Sequence, residues 1–127
     1  MEVLGHHIYE YQKGLRDLVL HTMQVGNREA AERKLNHYNI EYIIVPVTKN
    51  KINIFFGKRD CVDVVRTFSN KPLNTLTAEE DFILGIMLGY HRLEQCKRFL
   101  KRKLCNTVRI NECEKITFQN FSDIGIA

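Results

Sequence analysis

The sequence has 127 residues and a formal net charge of +4, with 44% hydrophobic and 27% charged residues. These values are typical of one globular domain with enough apolar side chains for a core, and they exclude a disordered or collagen-like chain. Residues 1–5 show no basic stretch followed by an apolar run, and no apolar segment is long enough to span a bilayer, so we expect neither a signal peptide nor a membrane span. We therefore expect one cytoplasmic domain over residues 1–127 with no membrane association. Its tail, 106–127, has the least defined pattern.

The N-terminal third of the chain predicts two helices. Residues 7–22 place apolar side chains such as Ile8, Tyr11 and Leu15 at helical spacing, which is typical of an amphipathic helix. Residues 28–38 predict the second helix. Asn39 suits the left-handed conformation in which many helices end.

Two segments rich in β-branched and aromatic residues, 40–47 and 52–57, predict a β-hairpin. Pro46 cannot donate a hydrogen bond to a neighbouring strand, so the first segment should lie at a sheet edge or a bulge. Because two strands are rarely stable alone, we expect helices to cover them, a third strand from 107–110 or 115–118, or pairing with a second copy. The predicted fold class is α+β, with four or five helices and a small two- or three-stranded antiparallel sheet.

The best-marked helix begins after Thr77, because Thr77 and Glu80 have the spacing of a capping box. The pattern predicts a helix over 78–104 that bends near Gly89. Its second half is amphipathic, with leucines on one side and basic residues on the other. We expect the basic side to be the one available to a partner.

The first half of this helix, from Phe82 to Tyr90, is apolar on nearly every side, as in a helix that is buried on more than one side. Gly85 and Gly89 lie four residues apart, so another helix could approach them closely. We therefore predict a homodimer that packs through this segment or through the hairpin edge. The predicted dimer-packing residues are Phe82, Gly85, Ile86, Gly89 and Tyr90.

Basic residues concentrate in the second half of the same helix. From His91 to Arg109 there are seven basic residues and a single acidic one, Glu94. This asymmetry favours an anionic partner, either an acidic protein or a nucleic acid, while a solvated face that binds nothing is the third interpretation. The predicted partner-binding residues are Arg92, Lys97, Arg98, Lys101 and Arg102.

Cys61 is the candidate for a reactive thiol. It follows Asp60 at the start of a helix predicted over 60–68, where the helix N-terminus, Lys58 and Arg59 would favour a thiolate. Against this, Asp60 is negative, and free cysteine is among the most buried residue types. Core packing is therefore the favoured interpretation of Cys61, and the reactive thiol is the alternative. The predicted inner face of this helix consists of Cys61, Val64, Val65 and Phe68.

No other chemistry is predicted. The histidines lack the convergent spacing of a metal site, so we expect no metal, and no motif indicates a cofactor. The four cysteines form no C-x-x-C pair and are expected to be free thiols. With no nucleophile motif or phosphate-binding loop, we expect no enzymatic activity.

Four stretches carry a family resemblance: HHIYEYQKGLRDLVL at 6–20, INIFFG at 52–57, EEDFILG at 79–85 and LGY at 88–90. Together they resemble a small bacterial domain-of-unknown-function family, over residues 4–104 and without the tail. The resemblance implies a helical and three-stranded fold, homodimers, and a gene often placed beside that of a flavodoxin. Because flavodoxins are acidic proteins, it also implies a flavodoxin as the acidic partner of the basic helix. It supplies no catalytic residues.

Overall fold

The fold is α+β, with five α-helices and a three-stranded antiparallel sheet in the part of the chain that the structure describes. The computed structural model describes residues 2–108, with side chains through residue 105. The chain divides into two compact units, Met1–Asn70 and Lys71–Ala127. Among the described residues, no helix is long and apolar enough to cross a membrane.

The first unit contains the sheet and three helices. In chain order its elements are α1 (Glu2–Gln12), β1 (Leu18–Gln24), α2 (Arg28–His37), β2 (Glu41–Pro46), β3 (Lys51–Gly57) and α3 (Arg59–Arg66). Strand β3 lies between β1 and β2 and is antiparallel to both. Pro46, in β2, therefore lies in an edge strand, as predicted from its missing N–H group.

The core of this unit lies between the sheet and helices α1 and α2. Alternate residues of the strands point to opposite faces, so Ile52, Ile54 and Phe56 share one face of β3. The buried cluster on this face is completed by residues of α1, β1 and α2 and the loop after α2, namely Leu4, Ile8, Val19, Met23, Ala31, Leu35 and Ile40.

The helix predicted over 7–22 was wrong in its second half, because α1 ends at Gln12 and residues 18–24 form strand β1. Gly14 terminates the helix with a φ of +78°, a conformation that glycine adopts without a Cβ penalty. The backbone N–H groups of Gly14 and Leu15 donate to the carbonyl oxygens of Tyr11 and Glu10, which is a Schellman motif. Val19 and Thr22 are β-branched residues that suit the strand that follows, and residues 18–24 pair with β3.

Strand β1 is the third strand of the sheet, so the tail is not needed to supply one. The strand predicted at 107–110 is wrong at residues 107 and 108, which belong to a helix. A second strand was predicted at 115–118. The remaining residues of both segments lie outside the described part of the chain. The hairpin of β2 and β3 is confirmed, with Ile44 opposite Ile54 in the register.

The described residues of the second unit form two α-helices, α4 (Ala78–Met87) and α5 (Arg92–Val108), where a single bent helix was predicted. Gly89 has a φ of +82°, and it ends α4 instead of bending it. The N–H groups of Gly89 and Tyr90 donate to the carbonyl oxygens of Ile86 and Gly85, which is again a Schellman motif. The same motif ends α2 at Asn39, whose φ of +55° confirms the predicted left-handed residue.

The capping box at the start of α4 is confirmed and leads to a stability prediction. Thr77 Oγ1 accepts a hydrogen bond from the Glu80 N–H at 3.1 Å, and Glu80 Oε1 accepts one from the Thr77 N–H at 2.9 Å. Thr77→Ala should lower the free energy of unfolding by about 1 kcal/mol, because one helix-end N–H loses its acceptor. Thr77→Ser keeps the hydroxyl and is the control. Equal denaturant midpoints for the two variants would contradict the capping role.

Candidate interaction surface on helix α5

A buried ion pair between α4 and α5 determines how α5 is oriented in the second unit. Arg98 Nε donates to Asp81 Oδ2 at 2.8 Å, and Arg98 Nη2 donates to Asp81 Oδ1 at 2.9 Å. The side chains are 6% and 1% exposed. Removing two charges from water is costly, and the two-pronged geometry supplies the compensating hydrogen bonds.

Arg102 lies one turn further along α5 and faces the same way as Arg98. Its Nη2 donates to the Leu76 carbonyl oxygen at 2.8 Å, and its Nη1 lies 3.8 Å from Asp81 Oδ1. Gln95, one turn before Arg98, is also buried, and its side chain lies against Gly85. Three polar side chains of α5 therefore point inward.

The opposite side of α5 exposes leucines. Leu93, Leu100 and Leu104 are 55%, 64% and 67% exposed. With 3.6 residues per turn, positions 93, 100 and 104 lie directly opposite 95, 98 and 102. We call Leu93, Leu100 and Leu104 the leucine stripe. The expectation that the basic side of this helix is the one available to a partner is therefore wrong at Arg98 and Arg102, which point inward.

The predicted basic residues divide between the two sides of α5. Arg92, Lys97 and Lys101 are exposed, whereas Arg98 and Arg102 are directed to the α4 side. Lys97 lies 3.6 Å from Glu94. Lys103 contacts Glu79 and lies 6.0 Å from the centre of the Phe99 ring. We define the outer face of α5 as the leucine stripe with its flanking cations, Arg92, Lys97, Lys101 and Lys103.

Two of the predicted dimer-packing residues make contacts within the second unit. The Phe82 and Phe99 rings lie 5.2 Å apart, and a Cβ on Gly85 would lie 2.0 Å from Gln95 Oε1. The other three, Ile86, Gly89 and Tyr90, line a cavity of about 730 Å³ at the turn between α4 and α5. His91, Arg92, Leu93 and Cys96 complete its lining. Dimerisation through these residues stays a prediction.

Cys61 lies near the start of α3 and is only half-buried. The buried residues of α3 are Val62 and Val65, and Phe68 is buried two residues after the helix ends. The predicted inner face was therefore wrong at Cys61 and at Val64, which is 37% exposed. Burial raises the pKa of the Cys61 thiol. Carboxylates of Asp17 and Asp60 raise this pKa further, against a smaller opposite effect of Lys58.

Cys61 should therefore be alkylated more slowly than a free thiol at neutral pH, because a raised pKa lowers the thiolate fraction. The check is the rate of iodoacetamide modification at Cys61 in the folded protein, followed by mass spectrometry and compared with a short unstructured peptide of the same local sequence. Faster modification in the folded protein would contradict the structure and restore the reactive-thiol hypothesis.

The histidines, Cys96 and Cys105 are the next possible metal ligands, whereas Cys113 lies outside the described residues. Among the described residues, no group of three or more His, Cys, Asp or Glu side chains could hold a metal ion. His7 and His21 do meet, with ring centres 5.4 Å apart, and burial together with charge on His7 lowers the pKa of His21. Cys96 is a free thiol. Cys105 is disulfide-bonded, which corrects the expectation for that residue.

The residue that sequence reasoning missed is Asp81. An acidic residue in the first turn of a helix is ordinarily explained by the helix dipole, yet Asp81 is almost fully buried and pairs with Arg98 of α5. Its spacing gives a usable signal in hindsight. Asp81, Leu84 and Gly85 are at positions n, n+3 and n+4, which places an acid on the buried side of α4.

The described residues thus define a small α+β protein whose last helix presents leucines and cations outward. The chain belongs to the family described as protein of unknown function (DUF2023), whose model matches residues 2–102. This match confirms the resemblance to a domain-of-unknown-function family. A comparison with curated proteins gave no match.

Proposed function

We propose that this protein is a non-enzymatic interaction protein that docks an acidic protein partner through the outer face of α5. The supporting observation is that Leu93, Leu100 and Leu104 are each more than half exposed on one side of one helix. Grouped exposed apolar side chains are typical of protein-binding surfaces. Apolar surface in contact with water is unfavourable in free energy, and a docked partner would remove the leucine stripe from water.

The charges around the leucine stripe indicate the sign of the charge on the partner's surface. Arg92, Lys97 and Lys101 are exposed beside it, and Glu94 is the acidic residue of this helix. A cationic rim around an apolar centre selects acidic surfaces and accelerates association with them. A flavodoxin is the first partner that we propose to test, because flavodoxins are acidic and the resemblance associates the family with them.

The orientation of α5 argues against the alternative that this protein binds nucleic acid. Arg98 and Arg102, which would have contacted phosphates, are directed to Asp81 and to backbone carbonyl oxygens. Three leucines at the centre of the surface offer nothing to a phosphate backbone. Binding of RNA is therefore an outcome of the test below and not a second proposal.

The test is a charge reversal on the full-length chain. Lys97→Glu with Lys101→Glu should weaken binding to purified flavodoxin by about tenfold or more at low salt, measured by isothermal titration calorimetry. The control is Arg33→Glu with Lys49→Glu, which changes the net charge equally at two exposed positions of the first unit. Unchanged affinity of the first variant, or RNA retardation in place of acidic-protein binding, would overturn the proposal.

A further inference from the structure

We infer that the element which binds the outer face of α5 is an amphipathic helix with acidic residues on both sides of an apolar stripe. This inference rests on the proposed function and specifies its partner. Leu93 and Leu100 are seven residues apart, and Leu104 follows four residues later. On a helix this spacing forms a line nearly parallel to the axis, about 16 Å long at 1.5 Å per residue. A line of this kind matches the stripe of a second helix.

A cavity adds a second contact at one end of the leucine stripe. Leu93 lines both the stripe and the cavity of about 730 Å³, so the two form one continuous surface. Gly89 is one of the lining residues and adjoins open space, because no atom outside its chain neighbours lies within 4 Å of the position where a Cβ would stand. A side chain at the end of the bound helix could enter this cavity as an anchor, and leucine or an aromatic residue suits its mixed apolar and polar lining.

The charge distribution on the outer face of α5 favours an acidic helix as the binding element and disfavours a second copy of α5. Lys97 and Lys101 follow one side of the leucine stripe, and Arg92 and Lys103 follow the other. Glu94 is the one carboxylate on these flanks, so two α5 helices would place mostly cations opposite cations in either direction of packing. A helix with glutamates at its flanking positions would place opposite charges on both sides.

An anionic membrane also attracts a helix with leucines and cations. The open depression beside the stripe favours the helix, since it can receive a protruding side chain that a flat lipid surface does not supply. We therefore commit to the helix and treat vesicle binding as a contrary result.

The experiment uses two synthetic peptides of about 18 residues, long enough for five turns. They have the same composition of leucine, glutamate, glutamine and alanine. One peptide places its leucines at helical spacing with glutamates on both flanks, and the other is scrambled. We expect the full-length protein to bind the patterned peptide about tenfold more tightly, as measured by fluorescence anisotropy at low salt. Leu100→Gln should remove this difference, while Leu15→Gln, at a leucine 71% exposed in the first unit, should leave it unchanged.

Contrary results separate this inference from the proposed function. Equal binding of both peptides, weakened by Lys97→Glu with Lys101→Glu, would overturn helix recognition and leave acidic docking standing. No binding of either peptide or of flavodoxin would overturn both. Preferential binding to phosphatidylserine vesicles would overturn the helical partner, as would self-association that Leu100→Gln abolishes.

Discussion

Replacing Arg98 with methionine should lower the free energy of unfolding by about 3–5 kcal/mol, because the variant leaves a buried carboxylate without its main partner. Asp81 is 1% exposed and accepts both hydrogen bonds from Arg98. After the substitution the nearest described cation is Arg102, at 3.8 Å. Urea unfolding followed by circular dichroism measures the loss.

A neighbouring lysine supplies the matched control for Arg98→Met. Lys97 has a side chain 64% exposed and an ion pair with Glu94, and such surface pairs contribute about 0–1 kcal/mol. Lys97→Met should therefore change stability little. Equal, small losses for the two variants would contradict the inward orientation of Arg98.

A double replacement tests whether the loss of stability in Arg98→Met arises from the unpaired charge of Asp81. Arg98→Met combined with Asp81→Leu should recover much of the stability lost in Arg98→Met, because replacing a whole buried ion pair by apolar residues is often nearly neutral. The comparison uses the same urea titration. A double variant less stable than Arg98→Met alone would show that the pair contributes through packing and not through its charge.

Gly57→Ala should lower the free energy of unfolding by about 3 kcal/mol or more, since it combines backbone strain with a clash. Gly57 ends β3 with a φ of +151°, and an added Cβ would lie 2.1 Å from the carbonyl oxygen of Asp17. That oxygen accepts the Lys58 N–H at 2.8 Å. Relief of the clash would therefore separate β1 from β3.

The control for Gly57→Ala is the same substitution at Gly26. No atom lies within 4 Å of a Cβ added there, so Gly26→Ala should change stability by less than about 1 kcal/mol in either direction. Thermal unfolding by differential scanning calorimetry compares the two. A Gly57→Ala protein as stable as Gly26→Ala would contradict the close approach of β1 and β3.

Local signals in the sequence predicted those elements that depend on local chemistry. The Thr77 capping box, the left-handed Asn39 and the edge position of Pro46 all follow from the hydrogen-bonding capacity or conformational range of one or two residues. The hairpin of β2 and β3 follows from β-branched and aromatic runs. These features formed as expected because no distant contact competes with them.

Elements that depend on distant partners were not predictable in this way. Residues 18–24 fit helical spacing as well as a strand, and pairing with β3 decided between the two. Gly14 ends α1. From sequence alone, however, a glycine inside a periodic pattern can be either a tolerated interior residue of a helix or the residue that ends it.

The orientation of α5 was missed for a related reason. Both sides of this helix form a regular stripe, one of leucines and one of bases with Gln95, and burial of leucine is the usual outcome. Which side of α5 is buried depends on one residue of α4, Asp81, because its buried carboxylate requires Arg98 as a partner. The dimer-packing residues and the partner-binding residues remain predictions.

Hydroxyl-radical footprinting of the full-length protein tests the outward position of the leucine stripe most directly. Oxidation at each leucine is read by mass spectrometry, with exposed Leu15 and buried Leu84 as internal references at 71% and 0% exposure. We predict that Leu93, Leu100 and Leu104 are oxidised nearly as fast as Leu15 in the free protein. Protection of these three leucines to the level of Leu84 would mean that the stripe is already covered, and would contradict the docking surface proposed here.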